Sequence, residues 1–262
     1  MRLYYEIAVR SFRRAGMYRG AYIAGLLTNA FFGALMTFVY RALFAAGAVV
    51  EGFTVDDMVT YTWCTQSLIS IGGAWITTEI MQTIRSGEVI TDLARPWNFY
   101  GYWLSRTLGE RAYNLLVRAS LTYLFGVVLF GARVPNMEEA AGFVLAMSLA
   151  MLTSFSLSFI VNLSSFWLVD ASGVMLMVNT MLMFFSGFLL PIAFFPPLLE
   201  AIASVLPFRA ITGLPAQVFL GKIHGAALIP TLLLQLFWAA LLAGLALLLL
   251  RAALRKVVIQ GG

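Results

Sequence analysis

Ala227-Leu-Ile-Pro-Thr-Leu-Leu-Leu-Gln-Leu-Phe-Trp-Ala-Ala-Leu-Leu-Ala-Gly-Leu-Ala-Leu-Leu-Leu-Leu250 carries no charged side chain from end to end. As a helix rising 1.5 Å per residue it reaches about 36 Å, enough to cross a hydrocarbon core of ~30 Å. Its apolar residues are continuous, where a strand of a membrane barrel would alternate. Backbone groups in lipid must be satisfied internally, so a chain built from such runs is a bundle of helices. Composition points the same way: of 262 residues, 61% are hydrophobic and 11% charged, against roughly 25% charged in soluble domains. The chain reads as an all-α membrane protein, one transmembrane domain over residues 1–262.

Five further runs have similar character. The six expected spans cover about Tyr22–Phe44, Met58–Thr78, Ala112–Phe130, Ala140–Val161, Ala171–Leu190 and Ala227–Leu250. Positive residues orient them. Arg2, Arg10, Arg13, Arg14, Arg19, Arg85, Arg95, Arg106, Arg111, Arg118, Arg251, Arg255 and Lys256 fall on one side. Only Arg41, Arg133, Arg209 and Lys222 fall on the other, together with Glu51, Asp56, Asp57, Glu138 and Glu139. The basic side is expected in the cytoplasm, with both termini there. Ala46-Gly47-Ala48 has the small-residue look of a cleavage site, but the run before it is longer than a signal peptide's apolar core.

Residues 1–20 precede the first run. At 100° per residue Tyr4, Tyr5, Ala8, Val9 and Phe12 share one arc, and Glu6, Arg10, Arg13 and Arg14 the other. That pattern predicts an interfacial helix, apolar face in the lipid headgroups and basic face to the cytosol. Residues 191–225 are punctuated by Pro191, Pro196, Pro197, Pro207, Pro215 and Gly221. The apolar pieces Leu198–Leu206 and Arg209–Leu220 between them are too short to span, and read as external re-entrant helices. Pro196-Pro197 suits a helix start, where a missing N–H costs nothing. No internal repeat is visible, which counts against an inverted-repeat carrier.

Catalytic constellations are absent from the sequence. The single cysteine, Cys64, and the single histidine, His224, make no metal or catalytic pattern with neighbours. Gly221-Lys222 lacks the upstream spacing of a phosphate loop. The net charge of +5 is accounted for by residues flanking spans, with no call for nucleic acid. Ionisable residues are expected near span ends, Arg111 and Arg118 reaching inward to the interface and Asp170 capping the fifth span. Asn29, Gln66, Asn114, Asn162, Asn179 and Gln235 are candidates for hydrogen bonds between helices. Any movement of cargo would therefore draw its energy from another subunit.

Residues 80–110 form the long loop on the basic side. Ile80 and Ile84 continue the second run's stripe, and Ser86-Gly87 interrupts it. Glu88 then sits in the first turn of a new short helix, where its charge suits the dipole. Ile90, Leu93 and Ala94 are expected to share that helix's apolar face, and Pro96 stops it at Arg95. A short amphipathic helix braced by spans at both ends can carry rigid-body motion into the bundle.

The stretch Ile84-Arg-Ser-Gly87-Glu88-Val-Ile-Thr-Asp-Leu93-Ala-Arg95-Pro96 resembles permeases of the type-2 ATP-binding-cassette (ABC) exporter superfamily, in its branch of short bacterial permeases encoded beside a separate ATPase. Phe185-Ser-Gly-Phe-Leu-Leu-Pro191 through Phe195-Pro196-Pro197, then Leu206-Pro207-Phe208, is similar to that superfamily's fifth-span end and external re-entrant helices. The helix carrying Tyr4, Tyr5, Arg10, Phe12, Arg13 and Arg14 is similar to its elbow helix. The resemblance implies a permease subunit of the bacterial cytoplasmic membrane, paired with an identical or related second permease. It implies a cytosolic ABC ATPase dimer below, with ATP and magnesium held there and no cofactor on this chain. Ile84, Arg85, Ser86, Gly87, Glu88, Ile90, Leu93, Arg95 and Pro96 would be the ATPase-coupling residues. The cargo would be drug-like, lipid-like or a peptide, moved out of the cytoplasm or inner leaflet. A non-ABC carrier, a membrane-embedded lipid-modifying enzyme and a non-transporting scaffold are the competing readings.

Overall fold

A computed structural model describes residues 2–17, 19–48, 52–69, 71, 76–168 and 170–255, and among these residues there are twelve α-helices and no strand. Two of the charges sorted above, Glu51 and Lys256, lie outside those residues. The apolar runs become helices α2 (Arg19–Ala45), α3 (Val55–Ile69), α6 (Phe99–Tyr113), α7 (Ser120–Phe130), α8 (Met137–Leu163), α9 (Ser172–Phe185) and α12 (Leu228–Leu254). The shorter ones are α1 (Arg2–Ala15), α4 (Glu79–Arg85), α5 (Val89–Ala94), α10 (Pro197–Val205) and α11 (Gly213–Phe219).

α8 is central and buried on most of its circumference, from Ala146, Met147 and Ala150 to Phe159 and Leu163. It starts at Asn136 because the Asn136 side chain accepts from Glu139 N at 2.9 Å while the Glu139 carboxylate accepts from Asn136 N at 2.8 Å, a reciprocal cap. α12 packs along it, fastened by fully buried Gln235, whose Nε2 donates to Ala146 O at 3.1 Å and Ala210 O at 2.8 Å. Polar groups thus point inward. Large apolar side chains point outward, among them Leu27, Phe31 and Phe38 of α2 and Leu233, Leu236 and Phe237 of α12. An outer surface this apolar suits lipid and would aggregate in water.

Among the described residues, four helices are long and apolar enough to cross a membrane: Ile23–Ala45, Phe99–Phe130, Met137–Phe166 and Gly225–Leu254. A fifth is obtained if Pro197–Val205 and Pro207–Phe219, bent by 68°, count as one. This is fewer than the six spans expected. The second run is interrupted: α3 ends at Ile69, residues 76–78 are not helical, and α4 begins at Glu79. The ladder is replaced by side chains, with Ile76 N donating to Asn179 Oδ1 at 2.8 Å. The fifth run is also cut short, at Phe185, where Ser186 Oγ accepts from Phe188 N at 3.2 Å and the Tyr61 hydroxyl donates to Gly187 O. At 14 residues, α9 reaches about 21 Å.

The third run departs in the other direction. Helix begins at Phe99, ahead of Ala112, and continues through one π-helical stretch, Asn114–Ala119, to Phe130. Arg111 was expected to reach the interface. It is buried instead, donating to Met151 O at 2.9 Å and Ser154 Oγ at 3.3 Å on α8. An ionisable group inside a membrane bundle persists when the protein supplies acceptors, and α8 supplies two.

The ion pairs sort as the charge count does. Lys222–Asp57 at 2.7 Å and Arg133–Glu139 at 3.0 Å lie at one end. Arg106–Glu79 at 2.9 Å, Arg85–Asp170 at 3.6 Å and Arg14–Glu79 at 3.9 Å lie at the basic end. None of these pairs joins the two sets.

Candidate functional site

The loop at the basic end is built from α4, a glycine corner and α5. α4 ends as Ser86 N donates to Gln82 O at 2.9 Å and Gly87 N to Ile84 O at 3.2 Å. Gly87 has φ +80°, a region an L side chain enters only with strain. No atom lies within 4 Å of where its Cβ would stand, so the demand for glycine is a backbone demand. The chain turns there, and α5 begins with Thr91 N donating to Glu88 O at 3.0 Å. At Arg95 the backbone becomes extended, ψ 151°, as a residue before proline must.

The predicted residues divide into two faces. Ile84 and Leu93 turn inward against the cluster of Ile80, Val89, Phe99, Phe159 and Leu250. Arg85, Ser86, Gly87, Glu88, Arg95 and Pro96 are exposed. Ile90 was expected to share an inner face with Leu93, yet it is 44% exposed. Val89 takes the inner place, 4% exposed. The Val89–Leu93 spacing of four residues is the signal that would have found it. Ile90 is therefore an apolar side chain presented to the outside amid charges, which makes the tip a surface with one hydrophobic contact and a charged rim.

Electrostatics at the tip are mixed. Asp92 is pushed above the usual carboxylate range by burial, with Glu88 adding to it and Arg95 and Arg106 opposing. Asp170 is held below that range by the hydroxyl and N–H of Ser172, against slight burial and with help from Arg85. The Arg95 guanidinium lies 4.9 Å over the Trp97 ring.

Three fastenings tie this tip to the bundle. Asn162 of α8 accepts from Met81 N at 2.8 Å and donates to Thr77 O at 2.8 Å. Arg106 of α6 pairs with Glu79. Tyr4 OH accepts from Asn98 N at 3.1 Å, and Asn98 caps α6 by accepting from Gly101 N at 2.8 Å. Asn162 had been expected to bond between helices. Its part in holding the loop could not be foreseen, because the break before Glu79 was not.

The N-terminal helix is amphipathic as predicted, and part of its apolar arc is taken up by another helix, while Tyr5 of that arc stays exposed. The N-terminal helix lies along α6. Tyr4 stands over Gly101, Phe12 meets Tyr113 edge-on at 5.3 Å, and a Cβ on Gly109 would come within 2.1 Å of Ala8 O. Tyr5, Arg10, Arg13 and Arg14 remain exposed.

A family model for ABC-2 family transporter proteins matches residues 31–261, from within α2 to beyond α12. The chain belongs to the ABC-2 transporter family. It is a permease subunit of that family, a multi-pass membrane component of transport. Members of the family are transport components and not themselves enzymes, and the family implies an ATPase partner in general. The match includes the α4–α5 loop and the bent α10–α11 pair and leaves α1 outside. No curated protein matches the chain.

Proposed function

We propose that this ABC-2 permease is the membrane half of an ATP-driven exporter and that the tip from Ile84 to Pro96 seats in a cleft of a cytosolic ATPase. ATP and magnesium are bound on that partner, two permeases pair around the pathway, and closure of the ATPase dimer pushes the tip. The observation that carries this reading is the glycine corner at Gly87, which offers Arg85, Glu88 and Ile90 outward while Val89 and Leu93 root the same segment in the bundle. A push on such an element is transmitted rather than absorbed. Asn162 and Arg106 then pass it to α8 and α6.

On this reading the basic end is cytoplasmic, both termini lie there, and the membrane is the bacterial inner membrane. Six crossings are retained. α3 with its continuation through residues 76–85 makes a broken second crossing, α9 with residues 186–190 makes a short fifth, and α10–α11 dip back from the external side. Cargo leaves the cytoplasm or the inner leaflet. The permease should co-purify with an ATPase encoded beside it, and the complex should show ATP hydrolysis that depends on the permease. A permease that never associates with such an ATPase when co-expressed would overturn the proposal.

A further inference from the structure

The second face of α1 is not simply solvated. Arg2, Glu6, Arg10 and Arg14 recur every fourth residue, so they stack along one side of the helix. That side lines a groove of about 670 Å³ whose opposite wall carries Arg95 and Arg106. Five guanidinium groups thus share one space with one carboxylate. Glu79, bonded to Arg106 and near Arg14, and Asp92, close in charge to Arg95 and Arg106, bring the carboxylates to three. Five positive charges against three negative leaves an excess of two. The walls cannot relax apart freely, because the backbone of α1 at Ala8 is pressed against Gly109 with no room for a Cβ.

Held at short range, such an excess attracts an anion with several acceptor oxygens, for which the guanidinium fork is suited. The groove is not only charged. Leu3 and Ile7 from α1 and the Trp97 and Tyr102 rings from the facing wall complete its lining. A free inorganic anion has no use for those groups, whereas a lipid with a phosphate head and an apolar body does. Tryptophan and tyrosine are also the side chains that settle at a headgroup boundary.

We propose that the groove between α1 and residues 95–106 binds the phosphate headgroup of an anionic phospholipid, bridging α1 to the segment that leaves α5. The lipid would tie the N-terminal helix to the tip, so that the acidity of the surrounding leaflet sets how firmly the tip is held. This needs only that the chain sits in a membrane and does not depend on ATPase docking.

The test uses the purified full-length permease in detergent, titrated with phosphatidylglycerol, with phosphatidylcholine and with inorganic phosphate, read by thermal stability. Phosphatidylglycerol should raise Tm dose-dependently, and phosphatidylcholine should not. Arg2→Gln/Arg10→Gln should move the phosphatidylglycerol midpoint about thirtyfold higher, at roughly fivefold per arginine, and added salt should weaken the wild-type effect. If the double variant inserts poorly, Arg10→Gln alone should show the fivefold shift. Arg13→Gln, exposed and outside the groove, should leave the midpoint where it was. Equal responses to the two lipids, an unshifted midpoint in the groove variants, or an equal shift in Arg13→Gln would overturn the proposal. Inorganic phosphate reproducing the whole effect would overturn the lipid assignment in favour of a soluble anion.

Discussion

Asn162→Leu is the substitution that isolates the fastening of the α4–α5 tip from the rest of the fold. Leucine keeps the branching and the number of side-chain heavy atoms while the amide is lost. The Met81 N–H, buried beside it, loses its acceptor at 2.8 Å. A buried donor left without a partner costs about 1–3 kcal/mol. The Thr77 carbonyl also loses its bond at 2.8 Å. Thr77 is exposed, so water can replace the donor, and the loss is nearer the ordinary net value of about 1 kcal/mol. Together these give about 2–4 kcal/mol, concentrated where the chain re-enters helix at Glu79. Hydrogen exchange followed by mass spectrometry reads this directly. Amides in residues 76–85 should exchange about thirty- to several-hundred-fold faster, taking about 1.4 kcal/mol per factor of ten. Peptides from α12, held by Gln235 and not by Asn162, should be unchanged. Unchanged protection over 76–85 would refute the claim that Asn162 holds the tip. Equal acceleration in α12 would show that the effect is global and not local.

Three further outcomes follow from named contacts. Gly87→Asn should keep most ATPase-coupled transport, Gly87→Ala should lose part of it for about 1–2 kcal/mol of left-handed strain, and Gly87→Val should lose most; a flat series in a transport assay would mean the corner is not required. Gly109→Val should detach α1 from α6, because its Cβ would meet Ala8 O at 2.1 Å; faster proteolysis within residues 2–17, with the bundle intact, is the expected reading. Burial pushes the Asp57 carboxyl up, but bonds from Lys222 and Thr54 outweigh it and hold it below the usual range. A depressed carboxylate contributes stability that is fully present above its unfolded value of about 3.9 and is lost as pH falls through the folded value. Acid melting curves should show that loss in the wild type and a smaller one in Asp57→Asn.

How much of this was legible in the sequence depended on whether the cue was local. α8 and α12 announced themselves by uncharged runs, and the glycine corner at Gly87 and the stop at Pro96 were read from single residues whose backbone preferences are strong. The interruption between Ile69 and Glu79 was not, because hydropathy averages over a turn and the acceptor that Asn179 supplies to Ile76 N lies about a hundred positions away. The burial of Arg111 depends on Met151 and Ser154, some forty positions away on another helix, and no local pattern reports it. For α1 the amphipathic period was visible, but not that Tyr4, Ala8 and Phe12 would pack on α6. The exposure of Ile90 in place of Val89 differs from the expected face by one residue, which on a helix is a turn of 100°.

The central claim, that an ATPase seats on this tip, is tested most directly by cysteine crosslinking. Cys64 is buried, so introduced thiols at Gly87, Glu88 and Ile90 can be read against Arg13 as a control in the membrane-bound complex. The account predicts crosslinks from positions 87, 88 and 90 to the ATPase, altered in yield by ATP, and little or none from position 13. Absence of crosslinks at the tip in a complex that still hydrolyses ATP in a permease-dependent manner would contradict it.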